Sequence, residues 1–70
     1  MTPIEFKTYR QYLELTQAEL ATLFDCGQST IAAWEAGQNP VPRLEGGLLK
    51  LWTKKPKVLK AWREAIKNLT

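Results

Sequence analysis

The feature that most constrains the fold is the stretch Thr16–Gly37, which holds two short helical patterns separated by only three residues. Leu20 and Phe24 lie four positions apart in the first pattern, and Ile31 and Trp34 lie three positions apart in the second. Residues at these spacings share one face of an α-helix. The sequence therefore predicts two short helices whose apolar faces pack against each other across a tight turn.

The three turn residues, Asp25, Cys26 and Gly27, suit a sharp change of chain direction. Aspartate tolerates the left-handed backbone conformation better than most residues, and Gly27 is able to cap the helix that follows. Cys26 is interpreted as a small apolar plug between the helices; a redox-sensing role would instead need an exposed thiol of low pKa. Ala21 is small enough for the helices to approach closely. This arrangement is typical of a helix-turn-helix motif.

The rest of the chain also reads as helical, and no run alternates apolar and polar residues as a half-buried strand does. Two capping boxes, Thr2 with Glu5 and Thr16 with Glu19, mark helix starts. We predict an all-α fold of five helices that form one domain over residues 1–70. The predicted helices begin at about Thr2, Thr16, Gln28, Arg43 and Pro56, and the third and fourth end at about Ala36 and Trp52.

Apolar residues at helical spacing are expected to face the core in the remaining helices. They are Ile4, Phe6, Tyr9 and Leu13 in the first helix, Leu44, Leu48 and Leu51 in the fourth, and Val58, Leu59, Trp62, Ile66 and Leu69 in the fifth. Gly46 and Gly47 weaken the helix propensity of the fourth helix. The three tryptophans are expected in the core, with Trp52 or Trp62 alternatively at a subunit interface.

The composition excludes several classes of function. The 70 residues include no histidine and a single cysteine. No intramolecular disulfide, His/Cys zinc site or histidine-based acid–base chemistry is therefore available, and no nucleophile–base pair is evident. We expect a protein that is not an enzyme and needs no metal, cofactor or small-molecule ligand.

Hydropathy favours a protein that acts away from membranes. No run approaches the roughly 18–20 apolar residues needed to cross a bilayer. The first ten residues also lack the apolar core of a signal peptide. A cytoplasmic location is the expectation.

The charges are distributed unevenly along the chain. Residues 1–36 carry two basic and five acidic side chains, whereas residues 37–70 carry eight basic and two acidic ones, which together give the net charge of +3. A basic half indicates an acidic partner such as nucleic acid. The alternative is that these basic side chains are simply solvent-exposed residues on helix surfaces.

Two segments of the helix-turn-helix stretch are specific enough to suggest a family. They are Thr16-Gln17-Ala18-Glu19-Leu20-Ala21 and Ile31-x-x-Trp34-Glu35-x-Gly37. Over about Lys7–Arg43, the chain resembles the Cro/C1-type (XRE-like) helix-turn-helix family, including lambdoid phage repressors and Cro proteins. Many members have glycine where this chain has Asp25, and serine or threonine where it has Gly27. After Arg43 the chain is more weakly similar to short antitoxin-type and phage autoregulator members.

The resemblance implies a lambda-repressor-like fold and a function. That function is sequence-specific binding of double-stranded DNA as an autoregulatory transcriptional repressor of phage type. Its recognition helix, at about residues 28–36, would enter the major groove. The alternatives are an antitoxin that binds both DNA and a toxin, and a helical protein-interaction module without DNA binding.

Four residues on the outer side of the third helix are candidates for base contacts. At about 100° per residue, Gln28, Ser29, Ala32 and Ala33 lie away from the core residues of that helix. A glutamine amide pairs with adenine, a serine hydroxyl reaches a base edge, and an alanine methyl contacts thymine. The Gln-Ser-x-x-x-Ala pattern is similar to the base-reading residues of lambdoid repressors. The alternative is that these are ordinary surface residues of a helix.

Further residues are candidates for contacts with the DNA backbone. Thr16 and Gln17 lie at a helix N-terminus, where free N–H groups favour a phosphate. The resemblance implies that Gln17 also braces Gln28. It also implies that an ion pair between Arg10 and Glu35 pins the first helix to the third, with the arginine near phosphate. The remaining candidates are Asn39 and Arg43, which flank the loop that runs along the DNA in the family.

A two-fold dimer on an inverted-repeat operator is the expected assembly, at least on DNA, because one short helix offers few base readers. Apolar residues that exceed the apparent needs of a small core are candidates for the dimer interface. They are Leu49, Trp52, Trp62, Ile66 and Leu69. The alternative is that the fifth helix folds back and seals a monomeric core.

Overall fold

The computed structural model describes residues 1–69, which form five α-helices and no strand. The helices are α1 (Pro3–Tyr12), α2 (Gln17–Leu23), α3 (Gln28–Glu35), α4 (Arg43–Lys54) and α5 (Pro56–Lys67). The prediction of an all-α, five-helix fold is confirmed. The third helix ends one residue earlier than predicted, and the fourth ends two residues later. No helix among the described residues is long and apolar enough to cross a membrane.

Two complete capping boxes start α1 and α2. In α1 the Thr2 hydroxyl accepts a hydrogen bond from the Glu5 N–H at 3.1 Å, and the Thr2 N–H donates to the Glu5 carboxylate at 2.9 Å. Thr16 and Glu19 repeat this at 3.0 and 2.9 Å. The hydrogen bond from the threonine backbone lowers the pKa of each glutamate below its usual value. Both helices therefore begin at the capping boxes that the sequence predicts.

Three successive helices end through one left-handed residue, at Glu14, Asp25 and Gly37, whose φ angles are 57°, 54° and 78°. After α2, the Asp25 N–H donates to the Thr22 carbonyl at 3.2 Å and the Cys26 N–H donates to the Ala21 carbonyl at 2.9 Å. Equivalent pairs of bonds follow α1 and α3. This Schellman geometry satisfies the last carbonyls of each helix. The left-handed conformation expected at Asp25 is thus observed, and Gly37 adopts it at the end of α3.

The residue Glu14 has a side chain where glycine would be the unstrained choice. Glu14→Gly is expected to raise the free energy of unfolding by about 0.5–1 kcal/mol, because relief of the left-handed strain exceeds the entropy that glycine adds to the unfolded chain. Urea unfolding measures the change. As the control, Glu64→Gly in the interior of α5 should lower the stability by about 1 kcal/mol. A Glu14→Gly protein less stable than wild type would contradict the strain assigned here.

The core lies where α1 packs on α3 and α4, α2 on α3, and α5 on α2 and α4. Its largest fully buried side chains are Trp52, Phe6, Leu20, Ile31 and Leu49. A continuous row of aromatic rings crosses the molecule from α1 to α5. In order, the rings are Phe6, Trp34, Phe24, Trp52 and Trp62, with successive centroids 5.7, 6.4, 5.4 and 6.3 Å apart.

The buried face of α4 differs from the one predicted. Leu44 and Leu51 are exposed, Leu48 is half-buried against the core as predicted, and the fully buried residues are Gly46, Leu49 and Trp52. A Cβ atom at Gly46 would lie 3.5 Å from Val41 and 3.7 Å from Met1. Val41 and Met1 thus lie at ordinary van der Waals distance from this position, which is on the buried side of α4 together with Leu49 and Trp52. Ile4 was likewise expected in the core, and it lies exposed on α1.

Two of the residues suggested for a dimer interface are not available for one. Leu49 and Trp52 are fully buried within a single chain. Trp62, Ile66 and Leu69 retain exposed or half-exposed side chains. Part of α5 therefore does seal the core, through Leu59, while its C-terminal half leaves apolar surface uncovered.

Candidate nucleic-acid interface

The helix α3 presents a polar start and a row of small residues on the side away from the core. Gln28 and Ser29 are exposed, and Ala32 and Ala33 are half-buried. On the opposite side, Ile31 and Trp34 are buried. Packing of the buried side against α1 and α2 leaves Gln28 and Ser29 free to meet a partner at the first turn of the helix.

A nearly buried ion pair fixes the end of α3 to α1. The Arg10 Nε donates to one Glu35 carboxylate oxygen at 2.6 Å, and Nη2 donates to the other at 3.0 Å. The two side chains are only 11% and 6% exposed. This bidentate geometry is the strong form of an arginine–carboxylate contact, so the orientation of α3 relative to α1 is closely defined.

The same polar cluster also includes the chain between α1 and α2. Arg10 Nη1 donates to the Leu15 carbonyl at 2.8 Å, and the Gln17 side-chain amide donates to Glu35 at 3.2 Å. Glu35 therefore links α1, through Arg10, to the first residue of α2. The expected ion-pair partners do meet, but the bonds to Leu15 and from Gln17 were not anticipated.

These contacts turn two of the proposed backbone-contacting side chains inward. The Arg10 guanidinium has three of its N–H groups engaged within the protein, and the half-buried Gln17 side chain points its amide at Glu35. Within residues 1–69, no hydrogen bond joins Gln17 to Gln28, so the brace implied by the resemblance is not formed here. Both side chains instead act on the position of α3.

The remaining backbone-contact candidates are exposed at three points of the chain. Thr16 is the N-cap of α2, with its hydroxyl already accepting from Glu19. Asn39 lies in the loop after α3, and Arg43 is the first residue of α4. Their exposure leaves the hydroxyl proton, the amide and the guanidinium available to phosphate oxygens.

A family model described as a helix-turn-helix domain matches residues 4–46, which is more than half of the chain. The chain belongs to this helix-turn-helix family. The matched region runs from the start of α1 into the first turn of α4, so it contains the polar cluster, the turn and all of α3. The search of curated proteins and the search of solved structures each gave no match.

In a helix-turn-helix protein the second helix of the motif is the one that enters the major groove of DNA. Here the second helix of the motif is α3, and α2 is its partner across the turn. Helix-turn-helix domains are DNA-binding modules, and the exposed amide and hydroxyl at the start of α3 are groups able to hydrogen-bond base edges.

The turn of this helix-turn-helix motif is occupied by a half-buried thiol. Burial, with smaller contributions from the carboxylates of Glu45 and Asp25, raises the pKa of Cys26 above its usual value. A thiol that stays protonated is a poor nucleophile. The environment therefore matches a small apolar plug in the turn rather than a redox sensor.

Proposed function

We propose that this protein is a sequence-specific binder of double-stranded DNA that acts as a transcriptional repressor in the cytoplasm. The observation that carries the proposal is the helix-turn-helix match over a chain whose α3 exposes Gln28 and Ser29 at its first turn. Repression of its own gene would follow from occupying its promoter. The whole of residues 1–70 would act as one domain.

In the proposed complex, α3 lies in the major groove with its N-terminal residues against base edges. Gln28 would donate to and accept from the N7 and N6 edge of adenine, and Ser29 would donate to or accept from a neighbouring base. Ala32 and Ala33 present methyl groups at the size needed to contact the methyl group of thymine. Such contacts favour an operator half-site rich in A·T pairs at these positions.

Contacts with the sugar-phosphate backbone would position α3 without reading sequence. Exposed polar groups at Thr16, Asn39 and Arg43 are suited to this task. Arg10 and Gln17 contribute mainly by holding Glu35, and through it α3, in place. Any direct phosphate contact from Arg10 would use the N–H groups that its internal bonds leave over.

Gln28→Ala is expected to weaken specific binding by about 1–3 kcal/mol and to relax the preference at one base pair, because a bidentate amide contact is lost. Non-specific binding should change little. Gln11→Ala removes an exposed glutamine from α1 and is the matched control. Binding-site selection with each variant measures both effects. An unchanged preference for Gln28→Ala would remove this residue from the base-reading set.

Selection of binding sites from random double-stranded DNA tests the proposal as a whole. We expect enrichment of an inverted repeat, with affinity that falls as salt is raised. Binding without any enriched sequence would leave a non-specific DNA binder. Absence of DNA binding at low salt would reject the proposal and favour a protein-interaction module.

A homodimer should place two α3 helices one DNA turn apart, on half-sites centred about 10–10.5 base pairs apart. Inserting about five base pairs between the half-sites is expected to abolish cooperative binding, since the insertion rotates one half-site to the opposite face of the duplex. Gel-shift titrations on the full operator, the expanded operator and an isolated half-site provide the comparison. Saturation of the full operator by one chain, unaffected by the insertion, would contradict two-fold binding.

A further inference from the structure

The C-terminal end of α2 is completed by a residue from α5, far along the chain. The last four carbonyl groups of an α-helix have no partner within the helix, and in α2 these belong to residues 20–23. Backbone N–H groups of the following turn donate to the first three carbonyls at distances of 2.9 to 3.2 Å. The fourth carbonyl, that of Leu23, accepts a hydrogen bond from the indole N–H of Trp62 at 2.8 Å.

The ring of Trp62 reaches the same end of α2 through the aromatic row. It packs against Trp52 with ring centroids 6.3 Å apart, and Trp52 stacks on Phe24 at 5.4 Å. Phe24 is the C-cap residue of α2, and its ring lies 6.4 Å from that of Trp34 in α3. Both the N–H and the ring of Trp62 therefore connect α5 with the turn of the helix-turn-helix motif.

A pair of opposite charges lies beside this contact. Arg63, the next residue of α5, lines a small surface cavity together with Glu19, Thr22 and Leu23 of α2. Arg63 and Glu19 are both exposed, so their attraction is screened by water and contributes little. The short, directional hydrogen bond of Trp62 consequently has more influence on how α5 and α2 are arranged than this charge pair has.

The turn transmits any movement of the end of α2 to the start of α3. Only residues 24–27 separate the two helices, and Asp25 among them is held in the left-handed conformation. Without the indole N–H, the carbonyl of the buried Leu23 would lack a partner, which is costly inside a protein. It would regain a hydrogen bond from water if the end of α2 moved away from α5. That movement would displace Gln28 and Ser29 as well.

We infer, on the basis of the DNA binding proposed above, that Trp62 is a positioning residue for α3. Its indole N–H completes the cap of α2, and it thereby holds the turn and the first turn of α3 in the arrangement that meets DNA. Helix α5 thus contributes to the reading of bases through the end of α2, without a DNA contact of its own from Trp62.

A replacement that removes the hydrogen-bond donor and keeps the ring tests this role. The 70-residue chain is short enough for chemical synthesis, which allows Trp62 to be replaced by benzothienylalanine, where sulfur takes the place of the indole N–H. The same replacement at Trp52 is the matched control, because its buried N–H has no hydrogen-bond partner within residues 1–69. Amide hydrogen exchange by NMR and affinity for the selected operator are measured at a temperature where thermal melts show both proteins fully folded.

The amides of Asp25, Cys26 and Thr30 report on the turn and on the first turn of α3, where they donate to Thr22, Ala21 and Gly27. In the Trp62 analogue they are expected to exchange about 3–10-fold faster, which corresponds to the loss of one hydrogen bond. Affinity for the operator should fall by a similar factor, about 3–10-fold, whereas non-specific binding should not change because no charge is altered. The Trp52 analogue should match wild type in both measurements.

The outcomes separate the positioning role from the proposed function. Unchanged exchange at these three amides overturns the role of Trp62, and so does faster exchange with unchanged operator affinity. Equal effects in the Trp52 analogue also overturn it, because they assign the change to the ring rather than to the N–H. A wild-type chain that selects no operator would reject the proposed function. Faster exchange in the Trp62 analogue alone would then still support the part of Trp62 in holding the turn and α3.

Discussion

Trp34→Ala is expected to lower the free energy of unfolding by about 3–5 kcal/mol, the usual cost of truncating a buried aromatic residue. Trp34 is 7% exposed and packs edge-to-face on Phe6, with its ring centroid 5.7 Å away. It also contacts Phe24 at 6.4 Å. The truncation would therefore open a cavity at the point where α1, α3 and the turn meet.

A loss of this size is comparable with the whole stability of a chain of this length, which is about 4–10 kcal/mol. The melting temperature, followed by circular dichroism, should fall by at least about 12 °C. Tyr12→Ala is the matched control, because Tyr12 is an exposed aromatic residue on α1 and its truncation should cost less than about 0.5 kcal/mol. Equal melting temperatures for the Trp34 variant and wild type would show that Trp34 does not hold α3 in place.

Glu35→Ala is expected to lower the free energy of unfolding by about 3–5 kcal/mol, because it leaves the nearly buried Arg10 guanidinium without its counter-charge. The same change removes the acceptor of the Gln17 side-chain amide. Both losses loosen α3 relative to α1 and α2. Specific DNA binding should consequently weaken even under conditions in which most of the protein remains folded.

A double-mutant cycle separates the net contribution of the Arg10–Glu35 ion pair to the free energy of unfolding from the penalty of removing only one partner. Arg10→Met combined with Glu35→Leu should be clearly more stable than either single replacement, because no unpaired charge remains in the interior. Urea unfolding supplies the four free energies. Glu64→Ala, at an exposed acidic residue of α5, is the control and should change stability by less than about 0.5 kcal/mol. A Glu35→Ala cost below about 1 kcal/mol would show that the pair is solvated rather than buried.

The parts of the fold that local chemistry decides were predictable from the sequence. The two capping boxes depend on residues three positions apart, and both form as expected. The left-handed backbone at Asp25 follows from the need to end α2 and start α3 within a few residues. The exposure of Gln28 and Ser29 follows from helical periodicity once Ile31 and Trp34 are assigned to the core.

The face of α4 was not predictable in the same way, because large apolar residues occur around most of that helix. Periodicity favours Leu44, Leu48 and Leu51 as readily as Leu49 and Trp52. In the structure Leu49 and Trp52 are fully buried, and Gly46, which lies near Val41 and Met1, shares their side of the helix. A residue without a side chain leaves no mark in a hydrophobic pattern, so the pattern identified the half-buried Leu48 but missed the side of the helix that is fully buried.

The hydrogen bonds within the polar cluster depend on tertiary contacts, which helical periodicity does not predict. Gln17 and Glu35 lie 18 positions apart, and their hydrogen bond requires the correct crossing of α2 and α3. The Leu15 carbonyl accepts a hydrogen bond from the Arg10 guanidinium because the left-handed Glu14 turns the chain back beside α1. Candidate residues were therefore identifiable by type, while the question of which group each one contacts was not.

The aromatic row that crosses the molecule ends at Trp62, in an apolar groove that is also lined by Leu48 of α4 and Ile66 of α5. This gives the protein an intrinsic optical reporter. Of the three tryptophans, all within the described part of the chain, Trp34 and Trp52 are buried and Trp62 is 37% exposed. An aqueous quencher such as iodide should therefore reach the emission of Trp62 and leave that of the other two largely intact. Whatever covers the groove will shield Trp62 from the quencher, so its occupancy is readable from the fluorescence of the unlabelled chain.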